Sequence, residues 1–367
     1  MRIFGIDSAP VEQRIKDVRT RFAKPGFEWY RYNSLTNLEH LKRLLGKSED
    51  RVTEAGKLGG ILDVGCGDGD LSFLFEAAGC RVDAVDHPVP NHNNMQGIRL
   101  LACELKSKIG IHEVDLDSQF SVPAGRYGLT IFLGLLYHLK NPLFALEQIA
   151  RHSDYCLLST RIARRLPGGA PIPEGQPLAY LLDSEELNRD DSNYWIFSEA
   201  GLRRILKRAN WEIEEWRTTG DTKASDPVSL DHDERAFCLL RSHHSLSHAE
   251  LLNGWHEAEN SGWRWTERCF SARFKKIEGV KRTRASLRLF LPPGVFERLG
   301  EMTLSGKING REVAPARLDR PGEHHIVRPI LDEASEVIAE FCLDKYTPAS
   351  QRDIRELGII VASIELE

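Results

Sequence analysis

The sequence lacks the features of several specialised classes of protein. Its most apolar stretch, LTIFLGLLYHL at 129–139, has about half of the roughly 20 residues that a membrane-spanning helix needs. The first residues, MRIFGIDSAPVEQRIKD, contain no apolar core long enough for a signal peptide. The chain has no internal repeat and no low-complexity tract. These absences predict a globular cytoplasmic protein with no membrane span.

The cysteines also lack the spacing that is typical of metal sites and redox motifs. The seven cysteines are scattered and include no CxxC pair. Several lie in apolar runs, where a free cysteine behaves as a small hydrophobic residue, so we expect a reducing compartment. The histidines of HHSLSH (His243, His244 and His248) have a loosely metal-like spacing without a cysteine or acid framework. No metal site is predicted there.

An excess of positive charge is missing as well. Of the 49 basic and 54 acidic residues, 18 of each lie in 254–367, which leaves 31 basic and 36 acidic residues in the rest of the chain. Neither part is basic. Long contact with a phosphate backbone is therefore not favoured, although a local patch leaves nucleic acid possible as a partner.

What the sequence does contain is a regular alternation of predicted strands and helices from about residue 55 to 242. This pattern is typical of an α/β fold with a doubly wound parallel sheet. Strands are expected in 60–64, 80–87, 108–117, 127–139, 155–162, 211–218 and 236–242. Helices are expected in 10–46, 70–79, 95–107, 142–151 and 198–209. A stretch rich in Pro, Gly and Asp, 164–197, is a long insertion, and insertions of that length are usually functional.

The character of the chain changes near Gly254. Short predicted strands follow one another, separated by PPG, NG and RPG. Such spacing favours a β-sandwich. We therefore predict two domains, an α/β domain with an N-terminal helical lid at 1–245 and a β-sandwich at 254–367; the oligomeric state is not predicted.

The segment ILDVGCGDGD, 61–70, contains three glycines directly after a buried strand. That much backbone freedom suggests either a tight turn or a close approach by a cofactor. Asp86 ends the next strand, 21 residues after Gly65, where an acid would bind a ribose diol. Asp115 ends the strand after that and is placed to bind an adenine amino group.

Two cofactors compete for this turn. The dinucleotide fingerprint G-x-G-x-x-G would need a third glycine at Asp70, but the glycine comes one residue early. Asp63 and Asp68 also disfavour a pyrophosphate. A cofactor with a positive centre and no phosphate, S-adenosylmethionine, suits these acids better.

These segments, with YGLTIFLGLLYHLKNP, resemble class I S-adenosylmethionine-dependent methyltransferases over about 55–242. The resemblance implies a Rossmann-like sheet whose last strand, in ERAFCLLRS, is antiparallel. It implies that Asp63, Gly65 and Gly67 line the methionine portion of the cofactor, that Asp86 holds the ribose, and that Asp115 and Leu116 hold the adenine. The residues assigned to the cofactor site are Asp63, Gly65, Cys66, Gly67, Asp86, His87, Asp115, Leu116, Leu133 and Tyr30.

A narrower resemblance links LGLLYHLKNP and NYWIFSEAGLRRILKRANW to the tRNA wobble-uridine carboxymethyltransferases. That family carries a Trp-Arg-Lys-Gly-Pro segment whose lysine binds a donor carboxylate, whereas this chain has FAKPGFEWYRYNSL. Ordinary S-adenosylmethionine is therefore the expected donor. The aromatic residues of this segment, Trp29, Tyr30 and Tyr32, either cover the cofactor or pack a helix onto the sheet.

The candidate catalytic residues are Tyr137 and His138, at the end of the fourth strand. His138 could act as a general base, because its unperturbed pKa is near neutral, or could cap the next helix. Tyr137 matches an active-site tyrosine of the tRNA-modifying family. Three further residues are candidates for substrate binding, each with a packing or surface role as the alternative: Asn193, Trp195 and Arg161.

The C-terminal segments NGWHEAENSGWRWTER and DIRELGIIVASIEL resemble β-sandwich modules appended to bacterial glycosyltransferases and sugar-modifying methyltransferases. The resemblances together imply methyl transfer from S-adenosylmethionine to an oxygen of a glycan, a glycolipid precursor or a small metabolite. A tRNA-modifying methyltransferase and a non-catalytic cofactor-binding regulator are the alternatives.

Overall fold

The computed structural model describes residues 1–23, 27–118, 120, 122, 126–243, 249–259, 263–275, 283–331, 336–350 and 353–366. The chain divides into two compact units, Met1–Ser242 and His243–Glu367. Three features of the sequence analysis lie outside the described residues. They are the predicted domain boundary at residue 245, two histidines of HHSLSH (His244 and His248), and residues 24–26 of the segment FAKPGFEWYRYNSL.

The first unit consists of alternating strands and helices. Its strands are β1 (Arg2–Ile3), β2 (Ile6–Asp7), β3 (Ile61–Val64), β4 (Val82–Asp86), β5 (Gly110–Glu113), β6 (Tyr127–Leu133), β7 (Ser153–Ala163), β8 (Ala179–Leu181), β9 (Trp195–Ser198), β10 (Trp211–Gly220) and β11 (Glu234–Ser242). Its α-helices are α1 (Ala9–Arg21), α2 (Leu38–Leu45), α3 (Glu49–Gly59), α4 (Asp70–Ala77), α5 (Gln96–Leu105), α6 (Pro142–His152) and α7 (Glu199–Arg208).

The central sheet has the strand order β10-β11-β7-β6-β3-β4-β5. Strands β3 to β7 are parallel, and β11 runs antiparallel to both β7 and β10. The predicted Rossmann-like sheet with an antiparallel last strand is confirmed. The chain order reverses between β3 and β6, and open sheets of this kind bind ligands beside such a switch point, at the carboxyl ends of the strands.

Two cores hold helices onto the two faces of this sheet. The side chains of β6 alternate between them, because successive residues of a strand point to opposite faces. Leu129 and Ile131 join the core beneath α1 to α5, and Phe132 joins the core beneath α6 and α7. Burial on both faces explains why β6 reads as one continuous apolar run.

Two segments differ from the predicted helices and loops. The expected helix over 10–46 is interrupted, because α1 ends at Arg21 and helical structure resumes with a short 3-10 turn at Ser34–Asn37. The insertion 164–197 contains two short antiparallel strands, β8 and β9, and β9 adds in parallel to the end of β7. The insertion therefore extends the sheet.

The second unit is a β-sandwich, as predicted. Its strands are β12 (Ala249–Leu251), β13 (Trp255–Ala258), β14 (Arg264–Thr266), β15 (Cys269–Lys275), β16 (Arg284–Leu291), β17 (Met302–Ile308), β18 (Arg311–Leu318), β19 (Gly322–Pro329), β20 (Glu336–Leu343) and β21 (Ile360–Leu366). They form two five-stranded sheets, β12-β15-β20-β17-β18 and β13-β14-β21-β16-β19. Both sheets contribute to one core, in which Phe274 and Leu287 are buried. A helix, α8 (Pro293–Leu299), replaces the turn expected at PPG.

The expectation of unpaired cysteines is wrong for one pair. Cys269 on β15 and Cys342 on β20 lie directly opposite each other and form a disulfide. The other five cysteines are free: Cys66, Cys80, Cys103, Cys156 and Cys238. Of the helices in the described part of the chain, none combines the length and the apolar character that a membrane span requires.

Candidate active site

The candidate site residues lie along the carboxyl edge of the sheet in the order of its strands. At the end of β6 lies Leu133, and after β3 come Gly65 and Gly67. Strand β4 ends at Asp86, which His87 follows, and the loop after β5 contains Asp115 and Leu116. Adjacent strands lie about 4.8 Å apart, so this row is about 14 Å long. An elongated ligand of nucleoside size fits along it.

In the turn after β3, other residues pack closely against the glycines. Gly65 and Gly67 have φ angles of 70° and 56°, a region that side chains with a Cβ rarely adopt. A Cβ on Gly65 would lie 2.7 Å from Leu135, and one on Gly67 would lie 3.2 Å from the ring of Tyr30. The neighbouring Cys66 is buried. The close approach that the glycines suggested is therefore made in part by the protein itself.

Asp86 joins this turn to the next strand. Its carboxylate accepts hydrogen bonds from the backbone N–H of Gly67 (2.9 Å), from Asn91 Nδ2 (3.0 Å) and from the N–H of His87 (2.8 Å). Burial raises its pKa, and these hydrogen bonds oppose the shift. A carboxylate offers about four acceptor positions, so one remains for a hydroxyl of a ribose.

Asp115 lies at the far end of the row. Its carboxylate accepts from Ser118 Oγ (2.5 Å) and from the N–H of Asp117 (3.0 Å), and the Ser118 bond lowers its pKa. His87 Nδ1 is 3.9 Å from Asp115 Oδ1, and Leu116 is buried beside it. The strand itself ends earlier than predicted, at Glu113, so Asp115 belongs to the loop after β5.

The acids around the glycine turn have partners within the protein. Asp63 is buried and accepts a hydrogen bond from Ser72 Oγ on α4 (2.6 Å); burial raises its pKa to about 7. Asp68 and Asp70 are also buried, and both pair with Arg19 on α1, at 3.3 Å and 2.8 Å. The turn therefore fastens the N-terminal helix, a role that the sequence did not indicate.

The aromatic residues Trp29 and Tyr30 lie between the glycine turn and the core. The N–H of Tyr30 donates to Asp68 Oδ2 (2.7 Å), which places the ring over Gly67. Burial raises the pKa of Tyr30 to about 12, and the neighbouring Tyr137 and Asp86 add to the shift. Trp29 packs against the core, under the guanidinium of Arg19. Tyr30 therefore covers the site while Trp29 anchors the segment.

The predicted catalytic pair lies in a 3-10 turn, Leu136–His138, directly after β6. His138 Nδ1 is 3.2 Å from the carbonyl oxygen of Ser192 and 3.0 Å from its Oγ. A carbonyl only accepts, so Nδ1 carries the proton in this contact and Nε2 of the neutral ring is the acceptor. Burial lowers the pKa of His138, which keeps the ring neutral at pH 7.

The insertion is attached to this corner by several hydrogen bonds. The N–H of Tyr194 donates to the carbonyl of Tyr137 (2.8 Å), and Trp195 Nε1 donates to the carbonyl of Lys140 (3.2 Å). Asn193 is buried and donates to the carbonyl of Leu187 (3.2 Å). These contacts bring the substrate candidates Asn193 and Trp195 next to the catalytic pair, although each also has a packing role.

Arg161 is more deeply buried than we expected for a residue that binds substrate. It is 4% exposed, and its guanidinium donates to the carbonyls of Asp226 (3.1 Å) and Ser229 and pairs with Asp233 (3.2 Å). Its substrate contact stays a prediction. Arg235, on the neighbouring strand and directly opposite Arg161, reaches the site instead; no local motif marks this residue.

The residues of the row fit S-adenosylmethionine. Asp115 and Leu116 would hold the adenine, Asp86 has an acceptor position for the ribose, and the half-buried Gly65 would lie beside the methionine portion. When bound, this cofactor supplies a methyl group on a positively charged sulfur. The methyl end would lie next to Tyr137 and His138, which follow β6 at the end of the row opposite Asp115, and near Tyr30, which lies over Gly67.

Comparisons with known proteins identify the family of the chain. Residues 31–215, half of the chain, match the family model of the methyltransferase domain. No curated protein matches the chain. Similar solved structures include the N-terminal domain of EvdMO1 crystallised with S-adenosylhomocysteine and D-fucose, which is 16% identical (65% of this chain and 97% of that chain covered, TM-score 0.40).

Two further structures are similar at the same level. Magnesium protoporphyrin IX methyltransferase from Synechocystis, with bound S-adenosylmethionine, is 19% identical (62% and 97% covered, TM-score 0.36). A putative methyltransferase from Bacillus halodurans is 15% identical (52% and 98% covered, TM-score 0.37).

The family model spans every strand end from which the row is built, from β3 through β6, together with the catalytic corner after β6. The chain belongs to the methyltransferase domain family, and S-adenosylmethionine is its cofactor.

Proposed function

We propose that this enzyme transfers the methyl group of S-adenosylmethionine to a hydroxyl oxygen of a sugar-type acceptor: a glycan, a glycolipid precursor or a related small metabolite. The observation that carries the choice of oxygen is the contact of His138 with Ser192. Nδ1 is fixed by the carbonyl of Ser192, which makes Nε2 the acceptor of the neutral ring, and burial lowers the pKa of this histidine. A base in this state suits an acceptor that must lose a proton.

Bound S-adenosylmethionine would supply the methyl group, and His138 Nε2 would take the proton that the acceptor hydroxyl loses. The products would be a methyl ether, a protonated imidazole and S-adenosylhomocysteine, so the reaction would balance. The rings of Tyr137 and Tyr30 would align the acceptor and exclude water. Alignment alone contributes much of the rate in such transfers.

The surroundings of the corner favour a sugar over a purely apolar acceptor. Tyr30, Tyr137 and Trp195 offer aromatic surface, and His138 and Arg235 add hydrogen-bonding groups. The second unit, whose terminal segments resemble modules of glycan-modifying enzymes, supports the same substrate class. For nucleic acid, neither half of the chain has an excess of positive charge.

The alternatives differ in their acceptor and in catalysis. A tRNA acceptor is kept as the second enzyme function on the LGLLYHLKNP resemblance, and no feature of the site favours it over a sugar. Membership in the methyltransferase domain family supports an enzyme rather than a non-catalytic cofactor-binding regulator.

The test is methyl transfer from isotopically labelled S-adenosylmethionine to three acceptor classes: neutral and acidic sugars, the matching amino sugars, and unmodified tRNA. We expect label in the sugars, bound as a methyl ether, whether or not an amino group is present. Label on nitrogen alone, or on tRNA alone, would overturn the proposal.

A further inference from the structure

Arg235 reaches the acceptor end of the site from a strand that carries none of the cofactor residues. It lies near the start of β11, at the carboxyl edge of the parallel strands, because β11 runs antiparallel. A Cβ on Gly134, directly after β6, would be 3.9 Å from Arg235 Nη1. The guanidinium carbon lies 5.8 Å from the centre of the Tyr137 ring. The guanidinium therefore borders the catalytic corner.

The position of Arg235 in the sheet separates it from the cofactor row. Strand β11 lies beyond β7 and β6, whereas Asp86 and Asp115 follow β4 and β5 on the other side of β3. The guanidinium is thus on the side of Tyr137 that faces away from the ribose and adenine positions. A ligand group bound there belongs to the acceptor.

Arg235 shares its nearest carboxylate with a second arginine. Asp233 lies between the two, with Oδ1 3.2 Å from Arg161 Nη1 and Oδ2 3.3 Å from Arg235 Nε. Arg161 is enclosed, donates to backbone carbonyls and also lies near the charge of Asp226, whereas the side chain of Arg235 is 36% exposed and hydrogen-bonds Tyr137. The accessible positive charge of the pair is therefore on Arg235.

Such a group is suited to an oxyanion. The planar guanidinium matches the geometry of carboxylates and phosphates, and its contact with an aromatic ring fixes its orientation. The Nε edge of Arg235 faces Asp233, so the Nη edge is the part directed toward Gly134 and the corner. Because Asp233 is shared with Arg161, a carboxylate or phosphate of the acceptor would give Arg235 a second ion pair.

We infer that Arg235 binds a carboxylate or phosphate group of the methyl acceptor and so selects acidic acceptors. The inference rests on the proposed function and narrows it: the acceptor is a hydroxyl compound that also carries an oxyanion, such as a uronic acid or a sugar phosphate. Arg161 acts as a positioning residue, because it holds Asp233 and thereby the Nε edge of Arg235.

The experiment measures binding to the full-length protein saturated with S-adenosylhomocysteine. Three probes share one sugar ring and differ in charge: glucuronate, glucose 1-phosphate and glucose. Ligand-observed NMR gives their affinities for the wild type, Arg235→Gln, Arg235→Lys and the control Arg204→Gln, an exposed arginine on α7. Calorimetry gives the affinity of each protein for S-adenosylhomocysteine.

We expect at least one anionic probe to bind about 10- to 100-fold more tightly than glucose, the range for one charge-assisted hydrogen-bonding group. The more tightly bound anion identifies the group as carboxylate or phosphate. The preference should persist in Arg204→Gln, weaken in Arg235→Lys and disappear in Arg235→Gln, with S-adenosylhomocysteine bound equally by all four proteins.

Three outcomes would overturn the inference: equal binding of the three probes by the wild type, a preference that survives in Arg235→Gln, or loss of S-adenosylhomocysteine binding in that variant. The last would mean that Arg235 holds the cofactor's own carboxylate. A failure of the proposed function would be distinguishable from these outcomes. The labelling experiment would then show methyl groups on nitrogen or on tRNA, while the binding experiment would still show the anion preference that depends on Arg235.

Discussion

At the scale of single residues, the candidate site depends on polar groups that are fixed by backbone contacts and keep one atom able to accept a hydrogen bond. Asp86 binds the Gly67 N–H and retains an acceptor position, and His138 is fixed through Nδ1 and retains Nε2. Both side chains are therefore oriented before any ligand arrives. Orientation of this kind is what a transfer reaction needs from the protein.

The first prediction concerns His138. Replacing it with Ala or Gln should lower turnover by about 10²- to 10⁴-fold, the usual contribution of a general base, with little change in S-adenosylhomocysteine affinity. Steady-state kinetics and calorimetry measure the two quantities. If alignment alone drives transfer, His138→Gln keeps most of the rate. Loss of cofactor binding together with turnover would instead indicate a structural role.

The second prediction is the pH dependence. Burial lowers the pKa of His138, so the ring stays neutral below pH 6.5, the unperturbed value. The wild-type rate should be constant down to about pH 6.5 and fall up to tenfold per pH unit once the pH drops through the lowered pKa. The part of the free energy of unfolding that comes from the neutral ring is complete above about pH 6.5 and is lost as the pH falls from there through the lowered pKa. A flat rate profile would contradict the base role.

Sequence reasoning placed candidate residues such as Asp86 and His138 next to strand ends, and the structure has them there. Sequence reasoning missed Arg235 and the pairing of Asp68 with Arg19. These depend on contacts between distant parts of the chain, and the residue type alone does not show which partner an arginine meets. Arg161 illustrates the same limit, since its burial follows from the loop that contains Asp226.

At the scale of elements, the N-terminal helix is attached to the glycine turn by charge as well as by packing. The guanidinium of Arg19 on α1 pairs with Asp68 and Asp70, which are almost fully buried. Asp68 also binds the N–H of Tyr30, the residue that covers Gly67. The helix, the covering segment and the turn therefore form one connected arrangement.

The third prediction tests that connection. Arg19→Leu leaves two buried carboxylates without their cation, which should lower the free energy of unfolding by about 3 kcal/mol and weaken S-adenosylhomocysteine binding. The matched control is Arg21→Leu on the same helix. Arg21 pairs with Glu104 and is largely exposed, so its loss should cost less than about 1 kcal/mol. Denaturant unfolding and calorimetry give both values; equal losses would contradict the account.

Element types were predictable where the apolar pattern was strong. β3, β4, β6, β7 and β11 follow apolar runs, since each is buried in the middle of the sheet. The strands β8 and β9 were not foreseen because the segment around them is polar and rich in proline and glycine. Their pairing with β7 comes from the tertiary structure. The opposition of Cys269 and Cys342 likewise follows from strand register, across 73 residues of sequence.

At the scale of the whole molecule, each unit has its own hydrophobic core. The two cores of the first unit contain only residues up to Leu240, and the sandwich core contains only residues from the second unit. The candidate cofactor residues and the candidate catalytic residues Tyr137 and His138 all lie within the first unit.

The fourth prediction follows from this division. A fragment of residues 1–245 should fold cooperatively and bind S-adenosylhomocysteine with the affinity of the full chain, as measured by thermal unfolding and calorimetry. The separate sandwich, 249–367, should fold without binding the cofactor. An insoluble or non-binding N-terminal fragment would show that the sandwich completes the methyltransferase unit.

The most direct test of the central claim, that the row of strand ends binds S-adenosylmethionine, is a calorimetric titration of the wild type, Asp86→Ala and Glu113→Gln with S-adenosylhomocysteine. Asp86 ends β4, while Glu113 ends the neighbouring β5 as an exposed acid. Loss of one charge-assisted hydrogen bond, about 1.5–3 kcal/mol, should weaken binding by tenfold or more in Asp86→Ala and leave Glu113→Gln unchanged. Unchanged affinity in a folded Asp86→Ala, or tighter binding of NAD than of S-adenosylhomocysteine by the wild type, would contradict the account.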